Sequence, residues 1–236
     1  MGTLSLQSID AYYGDSHVLH DVNMEVGDEQ LVSLIGRNGA GKSTTLKSIA
    51  GLTPKVTGSI EYDGQELIGR EPYEISRTGI AFIPEHRRIF PELTVRENLR
   101  MGSIGHDSID HSKETLETAL GYFPRLEEQF EQKGRSMSGG EQQMLAIARS
   151  LMSEPELLLV DEPTEGLMPS LVDKLGDILA EVNDDGMSVL LVEQDAQLAL
   201  GISDYGYVID EGEIRMEGTA DELLYDGDVQ EKYLKV

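Results

Sequence analysis

Apolar positions along this chain of 236 residues follow two rhythms, and the switch between them lays out the elements. Leu4, Leu6 and Ile9 punctuate a polar stretch, and Val22, Met24 and Val26 alternate likewise, which predicts half-buried strands over 4–9 and 22–26. Leu31-Val-Ser-Leu-Ile35 is a short run of strand type. Ser43 to Ala50 then has helical spacing and stops at Gly51, with Pro54 beyond. Ser59-Ile-Glu-Tyr62 followed by Asp63-Gly64 reads as a strand entering a hairpin turn. Residues 92–133 are polar and helical in character, broken at Gly102-Ser103 and Pro124, with helices expected over 114–121 and 127–133. Behind Ser138, the residues Met144, Ile147, Ala148 and Leu151 share one helical face. Leu157-Leu-Leu-Val160 and Ser188-Val-Leu-Leu-Val192 are buried strands. Tyr205 to Met216 makes two strands around Glu211-Gly212, and Ala220 to Lys235 a terminal helical region. The polar helical stretch interrupts a strand–helix pattern and reads as an inserted subdomain.

The chemistry sits where the rhythms meet. Gly36-Arg37-Asn38-Gly39-Ala40-Gly41-Lys42-Ser43-Thr44 spells G-x-x-x-x-G-K-[ST] between a strand and a helix. Such a turn aims backbone N–H groups at an anion, and the helix N-terminus adds partial positive charge. Lys42 would reach the β/γ-phosphates of a nucleoside triphosphate, and the Ser43 hydroxyl would hold Mg²⁺. Further on, Ser138-Gly139-Gly140-Glu141-Gln142 opens a helix. Ser138 and Glu141 form a capping box, and the paired glycines allow another group close to the helix N–H donors. Asp161-Glu162 ends an apolar strand. In a chain with a phosphate loop, two carboxylates there point to Mg²⁺ held by Asp161 and attacking water oriented by Glu162. Tyr12 and Tyr13 face opposite sides of a strand, so at most one of them could stack on a purine base.

Composition narrows the setting. The absence of Cys excludes disulfides and Cys-ligated metals. The five histidines, His17, His20, His86, His106 and His111, show no metal-ligand spacing and read as solvated or packing residues. No apolar run approaches the length of a membrane span and no signal pattern opens the chain, so a cytoplasmic location is expected. Nineteen Lys and Arg face 44 Asp and Glu, a net charge of −25, and the excess is concentrated after residue 152, where 22 acids face 4 bases. That field argues against nucleic acid as a partner. It also suits a high-salt cytoplasm, where screening removes self-repulsion.

Phosphate loop, Ser138-Gly-Gly-Glu-Gln142 and Asp161-Glu162, in this order, resemble the ATPase subunits of ABC transporters over essentially the whole chain. The resemblance implies a single domain: a RecA-like α/β P-loop core with an antiparallel β-subdomain (residues 1–86 and 156–236) and an inserted α-helical subdomain (87–155). It implies ATP and Mg²⁺ as cofactors, and two ATPase subunits packed head to tail, each ATP lying between one phosphate loop and the other subunit's signature serine. It further implies membrane permease subunits that hold the chain at the inner face of the membrane, with a substrate-binding protein as indirect partner. On the same basis Tyr13 is the aromatic that stacks on adenine. Ile83-Pro-Glu85-His-Arg87-Arg88-Ile-Phe-Pro91, Leu191-Val-Glu-Gln194-Asp-Ala196 and the closing Val229-Gln-Glu-Lys-Tyr233-Leu234 are similar to the subgroup paired with branched-chain amino-acid uptake.

Several positions depart from the wider family pattern. Glu85 stands where most members have a glutamine that contacts Mg²⁺ and water; its carboxylate can also ligate a hard cation. Gln194 replaces the switch histidine and can still donate a hydrogen bond to phosphate. Met168 replaces an aspartate after the second carboxylate, and His86 replaces a glycine of the subgroup. A urea or short-amide importer subunit keeps the same mechanism and also carries Thr164-Glu165-Gly166, but Glu85 and Arg88 favour amino-acid cargo. A soluble ABC ATPase of DNA repair or cluster assembly is the alternative from another class; repair members carry long coiled coils, which this chain lacks. A GTP switch is disfavoured because no Asn-Lys-x-Asp stretch is present.

The charge imbalance gives a direct expectation. Raising salt from 0.1 M to 1 M shortens the screening length from about 10 Å to about 3 Å, so the melting temperature should rise between those conditions. A flat or falling melting temperature in a thermal scan would remove the high-salt reading.

Overall fold

The structure is a computed structural model that describes residues 3–86, 88–104 and 109–234, without the side chains of 109–112 and 233–234. Arg87, His106 and Lys235 lie outside the described residues, as do the side chains of His111 and Tyr233.

A hairpin of β1 (Leu4–Tyr13) and β2 (Ser16–Val26) opens the fold. Both strands are longer than the alternation predicts. Register shifts between Leu6 and Ile9 and between Ile9 and Ala11, with Ser8 and Asp21 at φ 49° and 48°, throw the two-residue rhythm out of step. β3 (Leu31–Ile35) runs through the phosphate loop into α1 (Lys42–Ile49). β4 (Lys55–Tyr62) turns at Asp63-Gly64 into β5 (Gln65–Glu66), and these join the hairpin in an antiparallel sheet of order β2-β1-β4-β5. After α2 (Pro72–Ser76) and β6 (Ile80–Ile83), four helices follow: α3 (Val95–Gly102), α4 (Ile109–Tyr122), α5 (Arg125–Glu128) and α6 (Gly139–Leu151). The chain returns through β7 (Leu157–Asp161), α7 (Pro169–Asp184), β8 (Ser188–Glu193), α8 (Ala196–Ile202), β9 (Tyr205–Asp210) and β10 (Glu213–Thr219). It ends in α9 (Ala220–Tyr225) and short helical turns to Leu234.

The second sheet has the order β10-β9-β3-β8-β7-β6 and is parallel except for β10 at its edge. Its central strands are apolar on both faces because both faces are covered. Leu158, Val160, Val189 and Leu191 face α6, α7 and α8 in one core. Leu157, Leu159, Leu190 and Val192 face the antiparallel sheet in another, with Leu46 and Ile49 of α1 between the layers. Each strand therefore contributes alternate residues to two cores, which fixes its register at the level of a single residue. The C-terminal ends of β3, β7 and β8 consequently lie side by side.

Of the two helices expected in the insert, one needs correction and the other is longer than expected. Residues 127–133 do not form a helix: α5 ends at Glu128, and the following backbone pairs with the start of α3 and the residues just before it. Val95 N–H donates to Gln132 O (2.9 Å), Arg96 N–H to Phe130 O (3.2 Å) and Gly134 N–H to Leu93 O (3.0 Å), so tertiary pairing overrides local helical propensity. The helix expected from Glu114 begins at Ile109. The sixteen-residue α7 has no counterpart in the pattern reading. Buried Asn98 ties α3 to the preceding loop: it accepts from Phe90 N–H at 2.8 Å and donates to the Phe90, Leu93 and Thr94 carbonyls.

Gly102 closes α3 as the sequence break suggests, but space is what selects it. A methyl group there would overlap the Arg149 carbonyl oxygen and stand 2.9 Å from Met152 Cβ. Helix propensity alone would make Gly102→Ala stabilising by roughly 0.5–1 kcal/mol, whereas overpacking costs roughly 1–3 kcal/mol. Chemical denaturation should find the variant less stable than the wild type; a gain would mean that α3 and α6 can move apart freely.

Candidate nucleotide site

The phosphate loop leaves β3 and enters α1 through Gly41, whose φ of 115° lies outside the range that L side chains adopt readily. Lys42 is buried and folds back over its own loop, donating to Gly36 O at 2.8 Å and to Arg37 O at 3.2 Å. Its Nζ also lies 2.9 Å from Glu162 Oε1. Ser43 Oγ donates to Asp161 Oδ1 at 2.8 Å. Lys42 and Ser43 at the start of α1 and Asp161 and Glu162 at the end of β7 thus form one connected cluster.

Electrostatics follow from burial. Desolvation pushes the Asp161 carboxyl above the ordinary aspartate range, against the opposing pull of the Ser43 hydroxyl. Glu162 adopts φ 43°, unusual for a residue with a side chain, and its N–H is anchored on Val192 O at 2.9 Å. A cleft of about 360 Å³ spreads over the loop, lined by Asn38, Gly39, Gly41, Lys42, Ser43 and Thr44 together with Val18, Glu85, Glu162 and Glu165. A hydrogen bond to the Glu85 carboxyl and the charge of that group push Glu165 upward. The oxygen donors of Ser43, Asp161 and Glu85 around this cleft suit a hard divalent cation such as Mg²⁺.

Other candidate residues lie elsewhere in the same chain. Tyr13 is half-exposed at the hairpin end, while its neighbour Tyr12 is engaged, stacked on His17 at 4.3 Å. Ser138 and Glu141 line a separate cavity beside Met168 and Leu171. The capping box is formed: Ser138 N–H and Oγ both donate to Glu141 Oε2, at 2.8 and 2.7 Å. Gln129 donates to Glu141 Oε1 at 2.6 Å, and this bond with those from Ser138 holds the Glu141 carboxyl low. At Gly140 a methyl group would meet the end of the Leu171 side chain of α7, which would have to turn aside. Gly139 precedes it in the first turn of α6. Gln142 donates to Gly134 O at 3.1 Å and lines a third cleft with Glu85, His86 and Arg88. Gln194 is exposed just beyond β8. Met168 makes no side-chain cap at the start of α7, where Pro169 supplies the first helical turn.

The pattern reading missed Glu193. This buried carboxylate ends β8, where its Oε1 accepts from Thr164 N–H at 3.0 Å and from Thr164 Oγ1 at 2.7 Å. Its Oε2 accepts from Gln194 N–H at 3.1 Å. Burial pushes its carboxyl upward, and the Thr164 bonds oppose that shift. Glu193 therefore splints the turn after Glu162 to the strand end that carries Gln194. An acid at the end of an apolar strand, one residue before Gln194, was the available signal.

A nucleotide-type phosphate loop on a mostly parallel sheet, with acidic residues at the adjacent strand ends, defines a P-loop nucleotide hydrolase. Residues 19–165 match the family model described as ABC transporter, and the chain belongs to that family as an ATPase subunit. It is 46% identical over 231 residues to the high-affinity branched-chain amino acid transport ATP-binding protein BraG of Pseudomonas aeruginosa, covering 98% of this chain and 99% of that one. It is 37% identical over 217 residues to the probable branched-chain amino acid transport ATP-binding protein LivF of Archaeoglobus fulgidus, covering 92% of each. Among solved structures, a dimeric post-hydrolysis state of the ATP-binding cassette MJ0796 bound to ADP and Pi superposes with a TM-score of 0.79 at 27% identity, over 92% of this chain and 98% of that chain.

The splint can be cut. Glu193→Ala leaves the Thr164 N–H without its acceptor at a buried position, a loss of about 1–3 kcal/mol. ATP hydrolysis should fall with it. Glu193→Gln keeps one acceptor oxygen and should lose less on both counts. Urea denaturation and ATPase assays of the two variants decide the matter; two variants indistinguishable from wild type would show that the turn holds its shape unaided.

Proposed function

We propose that this chain energises an importer of branched-chain amino acids by hydrolysing ATP. The observation that carries the reading is the cluster in which Lys42 meets Glu162 at 2.9 Å and Ser43 meets Asp161 at 2.8 Å. The cargo rests on likeness to the branched-chain amino-acid proteins over nearly the full chain.

ATP takes its place with the β/γ-phosphates in the loop Gly36–Thr44, where Lys42 exchanges the Gly36 and Arg37 carbonyls for phosphate oxygens. Ser43, Asp161 and Glu85 would hold Mg²⁺, which supplies charge neutralisation at the phosphates. Glu162 orients the attacking water. Water oxygen bonds to the γ-phosphorus as the bond to the β–γ bridging oxygen breaks, leaving ADP and phosphate. Gln194 donates an amide hydrogen bond to phosphate, and Tyr13 stacks on adenine.

Ser138 lines a different cavity from Lys42 within the chain. That separation supports a head-to-tail pair in which the stretch Ser138–Gln142 of one subunit completes the site of the other. No helix among the described residues is long and apolar enough to cross a membrane. Permease subunits accordingly carry the cargo and hold the ATPase at the inner membrane face, and a substrate-binding protein delivers to them.

In a strain that lacks this chain, wild type should restore uptake of labelled leucine, isoleucine and valine. Glu162→Gln should not, because hydrolysis falls on the order of 100-fold or more while ATP binding persists. Near-normal turnover in Glu162→Gln would remove that residue from its role. Restored uptake of urea or short amides in place of the amino acids would move the cargo.

A further inference from the structure

The β1–β2 hairpin carries a second cluster on a face that the nucleotide cleft does not use. Asp10, His17 and His20 each offer a ligand atom, and these atoms all lie within 4.8 Å of one another. Spacing along the strand hides this. His17 and His20 are three residues apart, so a regular strand would send them to opposite faces. Between Ala11, paired with Leu19, and Tyr12, paired with His17, β2 carries one extra residue, Val18. The bulge brings His20 to the same side as His17. Sequence spacing alone, which reads these histidines as solvated or packing residues, does not register the juxtaposition.

The cluster is ordered before any ion arrives. His17 Nε2 lies 2.7 Å from Asp10 Oδ1. The His17 ring is stacked on Tyr12 at 4.3 Å with 13° between planes, and the His20 ring lies 3.9 Å from it. Lys55, the cation beside this group, sits over the Tyr12 ring at 4.3 Å. His20 is anchored through its main chain, donating to Gly212 O at 2.9 Å, and Gly212 N–H donates to Ala40 O of the phosphate loop at 2.8 Å.

We propose that Asp10, His17 and His20 form a binding site for a zinc-type divalent ion that cross-links the two strands of the β1–β2 hairpin beside the nucleotide cleft. Two imidazoles and one carboxylate are the donor set of borderline-soft ions such as Zn²⁺, whereas Mg²⁺ prefers oxygen alone. Zinc–ligand bonds of roughly 2.0–2.2 Å in a tetrahedron separate the ligand atoms by about 3.3 Å, so small side-chain rotations within the existing cluster suffice. All three side chains are at least partly exposed, which leaves the fourth position to water. Val18, adjacent to His17, lines the nucleotide cleft, so the ion would stiffen the segment that flanks it.

The purified full chain, free of nucleotide and in excess Mg²⁺ to saturate the oxygen-rich cleft, is titrated with Co²⁺ while its visible d–d absorption is followed. One equivalent should give a band of imidazole-ligated cobalt that Zn²⁺ abolishes. His17→Gln and His20→Gln should each weaken binding about tenfold or more, and His86→Gln should leave it unchanged. Zn²⁺ should raise the melting temperature of the wild type and not of the double His17→Gln, His20→Gln variant. Circular dichroism checks that each variant is folded. Cobalt affinity equal in the folded His17→Gln, His20→Gln and wild-type proteins overturns the site, as does the absence of any band.

Discussion

The hydrogen bond from Ser43 to Asp161 joins residues 118 positions apart and sets the working geometry of the fold. It exists because β3 and β7 are both neighbours of β8 in one parallel sheet, so their C-terminal ends emerge level with each other. That levelness comes from burial. Each central strand splits its residues between two cores, and a slip of one residue would exchange the two sets. Sheet packing thereby places the phosphate loop, Asp161-Glu162 and Glu193-Gln194 along one edge, where open α/β sheets bind their ligands.

The edge is crowded with negative charge. Glu85, Glu162 and Glu165 line the same cleft as the buried Lys42, and Asp161 lies just beneath. Carboxylates crowded around Lys42 favour the arrival of a divalent metal together with phosphates. The strained backbone of Glu162 and the splint from Glu193 hold the carboxylates in place against their own repulsion. In the same chain the signature helix faces elsewhere, its serine engaged with Glu141. That separation supports the proposed pairing of two subunits around each nucleotide.

The hairpin shows how a local irregularity redistributes chemistry. The extra residue at Val18, which breaks the register of β2, also gathers His17 and His20 beside Asp10, and Tyr13 is left half-exposed while Tyr12 is stacked away. Two backbone hydrogen bonds, through Gly212 to Ala40, connect this small sheet to the phosphate loop. The antiparallel layer is therefore coupled to the catalytic layer by main-chain contacts as well as by the shared core around Leu46 and Ile49.

Sequence by itself determined the features that depend on neighbours along the chain. The phosphate loop, the capping box at Ser138 and Glu141, the turn at Asp63-Gly64 and the apolar runs of β3, β7 and β8 were legible because a turn, a cap or a doubly buried strand needs particular residues at fixed short spacing. Tertiary structure decided what depends on distant partners. Phe130 to Lys133 gave up helix because backbone groups near Thr94 offered better-placed partners. Gly102 is a glycine because the backbone of α6 presses on it. Glu193 became a splint only once Thr164 was folded beside it, and His17 and His20 met only through a bulge. In each case the deciding contact or irregularity is fixed by how strands and helices pack, which no local rhythm records.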